Sequence, residues 1–349
     1  MQLENQTDWA AGLYPGWSRQ GHRQWTLVFK ASYQFDGQGN LTALPQGPIV
    51  EADQYRGEPT YSSLVASSEV APFKQGAELY LFGSAQPDPY GSRVIQVALS
   101  LCQNNNRYWH KELRVFGNRS WQRRMLTPLP GKPASITAPV PLIYENAFGG
   151  SDPAHPEQVC LANPAGVGYS FRGLRTKNLG LPAIEIGPNF ISSPASRVQP
   201  AGFGPLPPFW DPRCQEVGEI DAESVAQGLC PWAVPLPATM HNVAPQDQRF
   251  NAPFEGEMVL KVTGLLAEAS HEVLIRLPEL KPAVFRHAGE QLSRLDPVCD
   301  TLVIDTNRQE IHQIFRCGVV LDLHEKEFGL LILRNLLSEK NPVVAEALT

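Results

Sequence analysis

Eight histidines are the natural place to look for chemistry, and their spacing offers little of it. No two stand at i, i+3 or i, i+4, so no single turn of helix presents a ligand pair. His271-Glu272 and His324-Glu325 each begin an H-E-x-x-H pattern that no second histidine completes. The six cysteines, Cys102, Cys160, Cys214, Cys230, Cys299 and Cys317, are dispersed without a C-x-x-C pair. That dispersal predicts free thiols in a reducing cytoplasm rather than a disulfide framework. Cys160 and Cys214 lie among loops, where a Cys/His nucleophile is conceivable, yet a lone loop cysteine is more often structural. There is no G-x-S-x-G elbow. Gly202-Phe203-Gly204 runs into Pro205, Pro207 and Pro208. Prolines lack the N–H groups with which a helix start cradles phosphate. The pairs Glu216/Glu219 and Asp221/Glu223 read as a solvated face. The sequence thus predicts no catalytic residue, no metal and no cofactor. Trp109, Trp121, Trp210 and Trp232 leave a carbohydrate-binding or carbohydrate-active β-protein as an alternative, against the simpler reading of buried aromatics.

The elements that would position such residues are strands. In Gln24–Phe35 (QWTLVFKASYQF), Trp25, Leu27 and Phe29 alternate with Thr26, Val28 and Lys30, the period of a half-buried strand. Asp36–Asn40 is a hairpin loop, with a return at Leu41–Leu44. Glu78–Ser84, Arg93–Gln103 and Arg107–Phe116 continue as strands, separated by turns at Asn104–Asn106 and Gly117–Trp121. Asp53–Pro72 is polar and turn-rich, with a short helical piece expected near Ser62–Ser68. Further strands fall at Glu257–Leu266, His271–Leu277, Ala283–His287, Thr301–Asp305 and Ile311–Leu321. Short helices are expected at Asp221–Gly228 and in the leucine-rich tail from Glu325. The fold class that follows is mainly β: two antiparallel sandwich-like halves, 1–137 and 256–349, joined by the loop-rich segment 138–255.

That central segment carries Gly149-Gly150, Asn163–Gly166 and Pro200–Pro208, which punctuate every window. It also carries Tyr144, Phe148, Tyr169, Phe171, Phe190, Phe203, Phe209 and Trp210, which a disordered linker would lack. We read it as an ordered loop region pinned by aromatics, with Gly202 expected at positive φ. The 349 residues, 18% of them charged, have a formal net charge of -6 and no basic block. These values disfavour nucleic acid or an anionic membrane as partner. No apolar run nears the roughly 20 residues of a membrane helix, and the first residues lack a secretory signal pattern, so a cytoplasmic location is expected.

A series of phrases then carries a resemblance: Leu27–Phe35 (LVFKASYQF), Asp53–Glu58 (DQYRGE), Ser67–Lys74 (SSEVAPFK), Leu81–Ala85 (LFGSA), Arg114–Trp121 (RVFGNRSW), Tyr144–Gly150 (YENAFGG), Asn163–Gly168 (NPAGVG), Leu181–Glu185 (LPAIE), Pro200–Pro205 (PAGFGP), Asn242–Gln248 (NVAPQDQ) and Asp300–Ile304 (DTLVI). In this order they resemble the bacterial family called domain of unknown function 2169. The resemblance implies an adaptor-chaperone of type VI secretion, not an enzyme. Its partners would be a secreted toxin effector and the spike-tip protein or its PAAR cap. It carries over no catalytic residue. Within the phrases, Lys30 and Lys74 read as strand-end charges and Asp300 and Asn242 as turn formers, or all four as part of a shared groove. The partner-binding candidates are Phe203, Phe209 and Trp210, aromatics on rigid loops, with core burial expected for at least one.

Overall fold

The structure, a computed structural model, describes residues 1–45, 47–103, 106–124, 127–173, 178–211, 213–216, 237–267, 272–289, 291–321 and 329–337. The strands of the three larger sheets, in chain order, are β1 (Gln2–Asn5), β2 (Ala10–Trp17), β3 (Arg23–Phe35), β4 (Leu41–Ala43), β5 (Ala77–Phe82), β6 (Val94–Gln103), β7 (Asn106–Phe116), β8 (Ile184–Glu185), β9 (Arg249–Phe250), β10 (Met258–Thr263), β11 (Glu272–Arg276), β12 (Pro282–Ala288), β13 (Gln291–Leu295), β14 (Val298–Asp305), β15 (Glu310–Val320) and β16 (Leu330–Asn335). The chain is mainly β, as its alternating patterns predict.

A seven-stranded sheet runs in the order β9-β5-β14-β15-β3-β2, with β4 also on β3. A five-stranded sheet runs β8-β7-β6-β10-β11, and a four-stranded one β1-β16-β12-β13. Each of these sheets takes strands from both ends of the sequence. The pairing is mostly antiparallel, but β5 lies parallel to β14, and β1 to β16. A parallel neighbour needs a long connection. Here β5 and β14 are separated by most of the chain, including the central loops.

One cluster holds the inward faces of the two larger sheets. Leu27, Phe29, Leu79, Leu81, Leu302, Ile304 and Ile311 meet Val97, Leu99, Leu101, Leu113, Leu260 and Ile275. Trp9, Phe29 and Phe315 stack within it, with Phe29–Phe315 centroids at 5.1 Å and Trp9–Phe29 at 5.6 Å. Each such side chain contributes about 1.5–3 kcal/mol on full burial.

Strands replace the helix expected near Ser62–Ser68 and the described part, 329–337, of the helix expected in the tail; the rest of that tail lies outside the described residues. Ser62–Ser68 holds a two-stranded ladder, Leu64–Ala66 against Gln54–Tyr55, preceded by a 3-10 turn at Pro59–Tyr61. Its serines bond outward rather than to their own helix. Ser63 N–H and Oγ donate to Glu145, and Ser68 N–H donates to Asp53 at 2.7 Å. In the tail, Leu331 and Leu333 alternate into the core while Leu330 and Ile332 stay half-buried, so β16 has the period of a strand. The expected helix at Asp221–Gly228, together with Cys230 and Trp232, lies outside the described residues. The other five cysteines are free.

Candidate functional site

The outward face of the seven-stranded sheet faces loops, and it carries buried charges beside a small apolar cluster of Val28, Tyr80, Val303 and Ile314. Lys30 sits in the middle of β3 and binds Glu69 at 2.8 and 2.9 Å. Lys74 pairs with Glu78 of β5 and donates to Thr301 Oγ1 at 2.9 Å. Arg316 of β15 pairs with Asp300 and donates to the Glu69 carbonyl. Lys30 is therefore a mid-strand charge, Lys74 lies just before β5 but is buried and paired rather than solvated, and Asp300 is a bulged strand residue, not a turn former. Sequence alternation placed Lys30 opposite Phe29, but nothing local showed that a lid of loops would cover that face.

The loops are fixed through this layer. Glu78 Oε2 accepts the N–H groups of Val243 and Ala244 at 2.7 and 3.0 Å. Burial alone would raise the Glu78 carboxyl. The Lys74 ammonium and the Ala244 N–H outweigh burial and hold the carboxyl below its ordinary value. Asn242 follows a 3-10 turn at Ala238–His241 and clamps the backbone of Gln75 in both directions. Burial, then the nearby Lys74, Arg316 and Arg213, pulls His241 down to about 4.

Gln248 welds the next loop. Its amide donates to the carbonyls of Leu79 and Phe203, each at 2.8 Å, and its Oε1 accepts Lys111 Nζ at 2.7 Å. Leu81 N–H also donates to Phe203 C=O. Phe203 itself is fully buried, with the Lys111 ammonium 5.6 Å from its ring centroid. Gly202 is not at positive φ, which corrects the expectation. Its constraint is proximity: a Cβ there would sit 2.7 Å from ring carbons of Tyr144.

The remaining central loops form a platform around Trp210. That indole is fully buried, lies edge-on to Tyr144 at 5.6 Å and donates from Nε1 to Thr60 C=O at 3.0 Å. Tyr144 donates to Gly204 C=O, and burial pushes its phenol well up. Asn163 donates to the carbonyls of Tyr144 and Phe148 at 2.8 and 3.0 Å. Gly150, at φ 81°, closes against Gly166, whose carbonyl a Cβ would meet at 2.1 Å. Arg213 donates to Leu206 and Met240 carbonyls.

On this platform Tyr61 (58% exposed), Leu161 (64%) and Phe209 (60%) are the large apolar side chains most open to solvent, ahead of Phe171 and Val167. Each flanks a bond that ties the platform together. Tyr61 follows Thr60, Phe209 precedes Trp210, and the Leu161 carbonyl accepts the Asp211 N–H at 3.0 Å. The central loops also enclose a cleft of about 490 Å³, whose lining includes Lys111, Tyr144, Leu206, Asp211 and Asp247. Burial pulls the Lys111 ammonium below its ordinary value, opposed by Asp247 at 2.9 Å.

Of the three candidate contact residues, Phe209 is thus at the surface, while Phe203 and Trp210 hold the platform from inside. Tyr61 and Leu161 were missed. Tyr61 carried a signal, an aromatic after Pro59 in an otherwise polar stretch; Leu161 carried none. Trp109, half-buried, donates to Asp247 C=O, and Trp121 is also half-buried.

A family model described as an uncharacterized protein conserved in bacteria (DUF2169) matches residues 20–316. The chain belongs to the DUF2169 family. No curated protein and no solved structure matches it. The phrases that marked the resemblance in this DUF2169 chain supply most of the buried network: Lys30, Glu69, Lys74, Asn242, Gln248, Asp300 and Thr301. Among the described residues no helix is long and apolar enough to cross a membrane.

Proposed function

We propose that this chain is an adaptor-chaperone that binds a type VI secretion effector and helps load it onto the spike. The observation that carries the reading is the exposed Tyr61–Leu161–Phe209 group on a platform fixed by side-chain hydrogen bonds and a buried indole. Apolar residues held on rigid loops lose little entropy on docking, which is the chemistry of a binding hot spot. The cleft among the central loops, whose lining includes Ala162 and Asp211, close in sequence to Leu161 and Phe209, would take a polar side chain of the partner near Lys111, Asp211 and Asp247. Effector and spike as partners rest on the family resemblance.

Binding that favours the folded effector stabilises it by mass action, about 2.7 kcal/mol at a hundredfold excess over Kd. The test is co-expression of the toxin gene adjacent to this one in its host, with and without the adaptor. Expected are more soluble toxin and a complex on size exclusion. Equal toxin solubility with no complex overturns the reading.

A further inference from the structure

The two edges of the seven-stranded sheet differ. On the β5 side, beyond the two residues of β9, the ladder is sealed by Gln248 and by the Phe203 carbonyl. On the other side lies β2, whose outward backbone groups meet no backbone partner among the described residues.

The register says which groups these are. Ser18 N–H donates to His22 C=O at 2.8 Å, one step beyond the Trp17–Arg23 pair. In an antiparallel ladder bonded and non-bonded pairs alternate. Gly16, Tyr14, Gly12 and Ala10 therefore turn their N–H and C=O toward β3. Trp17, Pro15, Leu13 and Ala11 turn theirs outward. The far side of β3 agrees: Leu321 N–H donates to Arg23 C=O and Phe35 N–H to Gln309 C=O, so odd-numbered residues of β3 bond to β15. Pro15, which has no N–H, falls in the outward set, where a strand tolerates proline.

A groove of about 760 Å³ runs beside this edge, between Ala11–Tyr14 and Pro48–Gln54. Its lining carries two carboxylates, Glu51 and Asp53, and no cationic residue. Ala11 and Leu13 pack toward the main core, whereas Tyr14 and Ile49 pack on the outward side. An added strand would therefore place one set of alternate side chains against apolar surface and the other set against the carboxylates.

We propose that the Ala10–Tyr14 edge is a strand-addition site for an extended partner segment with alternating apolar and basic residues. The segment pairs with the backbone of Ala11 and Leu13, sets lysine or arginine toward Glu51 and Asp53, and ends where Pro15 removes the next donor. This site is separate from the central-loop patch, and loss of binding at either leaves the other in place.

The probe is a fluorescein-labelled hexapeptide of alternating lysine and valine, read by fluorescence anisotropy on the full chain. Binding is expected, with slowed amide hydrogen exchange at Ala11 and Leu13. The glutamate–valine counterpart should not bind. N-methylation of the probe on its pairing edge should weaken it by about tenfold or more, because it removes backbone hydrogen bonds and leaves the protein unchanged. Ala11→Pro should weaken binding similarly, since the lost N–H points away from β3. If that variant does not fold, the N-methylated probe decides alone. Three results overturn the proposal: no binding of the lysine–valine peptide, equal binding of its N-methylated form, or a dimer of the free chain with Ala11 and Leu13 already protected.

Discussion

The inner face of the seven-stranded sheet meets another sheet and is largely apolar; its outer face meets loops and sets paired charges around a small apolar cluster. The difference follows from what each covering supplies. A sheet buries its own backbone polar groups in ladders and leaves side chains free to pack. Loops bring unpaired N–H and C=O groups with them, and those groups need partners when covered. Glu78 takes the N–H groups of Val243 and Ala244, Glu69 takes the Val50 N–H, and Gln248 and Asn242 serve their own sets. Apolar packing is non-directional and stabilises many arrangements. A charge buried under a loop is directional and selects one. The outer layer thereby fixes the loops on whose far surface Phe209 stands.

The sharpest break of this contrast is a rescue experiment. Lys74→Met leaves Glu78 buried without its cation, and should cost about 3–5 kcal/mol in urea unfolding. Removing the second charge as well, Lys74→Met with Glu78→Gln, should recover part of that loss. On the inner face, Phe29→Ala should also cost about 3–5 kcal/mol, by transfer and cavity terms. No second truncation, such as Phe315→Ala, should recover it. A double charge variant no better than Lys74→Met alone would remove the distinction between the faces.

The next test concerns the loop side. Gly202→Ala brings a methyl against the Tyr144 ring, and should cost about 1–3 kcal/mol as overpacking. Because φ is ordinary there, Tyr144→Ala should relieve the clash, and the double variant should lose less than the two single losses added together. Strict additivity would refute the steric account.

A smaller effect is set by pH. Burial first, then neighbouring cations, holds His241 and His312 down to about 4, against an ordinary 6.5. Below pH 6.5 the unfolded chain gains protons that the folded chain refuses until about pH 4. Stability is therefore full above 6.5 and falls as pH drops toward 4, by at most about 1.4 kcal/mol per pH unit for each histidine. Glu78, held low, adds its own loss only under more acid conditions. Urea midpoints at pH 7.5 and 5 test this. The slope should flatten in a His241→Asn/His312→Asn variant, and a wild type with equal midpoints would contradict the burial of both rings.

Strands were readable wherever one face is apolar, as in β3 and β15, because the period is local. Their partners were not. Nothing in Ala77–Phe82 states that its neighbour will be Val298–Asp305, far along the chain and parallel. Polar residues misled for the same reason. Lys74 resembles any solvated lysine until Glu78 and Thr301 are brought to it. Gly202 looked like a turn glycine, and only the Tyr144 ring reveals its role as a gap. The exposure of Phe209 beside the burial of Trp210 also lay beyond reach, since adjacent aromatics in a loop carry no face.

That last pair gives the mildest structural perturbation and the most pointed functional one. Phe209 projects from the platform, while Trp210 is enclosed by Tyr144, Ala147 and Leu206 and bonded to Thr60. Phe209→Ser should change stability by no more than about 0.5 kcal/mol, as surface substitutions do. Trp210→Ala should cost about 3–5 kcal/mol and unmake the platform. If the exposed group is the contact, Phe209→Ser and Tyr61→Ser should each abolish co-purification of the effector at an unaltered melting temperature. The effect on the partner then separates from the effect on the fold, because the residue that touches and the residue that holds are neighbours in sequence with opposite burial. Full effector binding by Phe209→Ser/Tyr61→Ser would move the contact off the central loops and leave the platform as architecture alone.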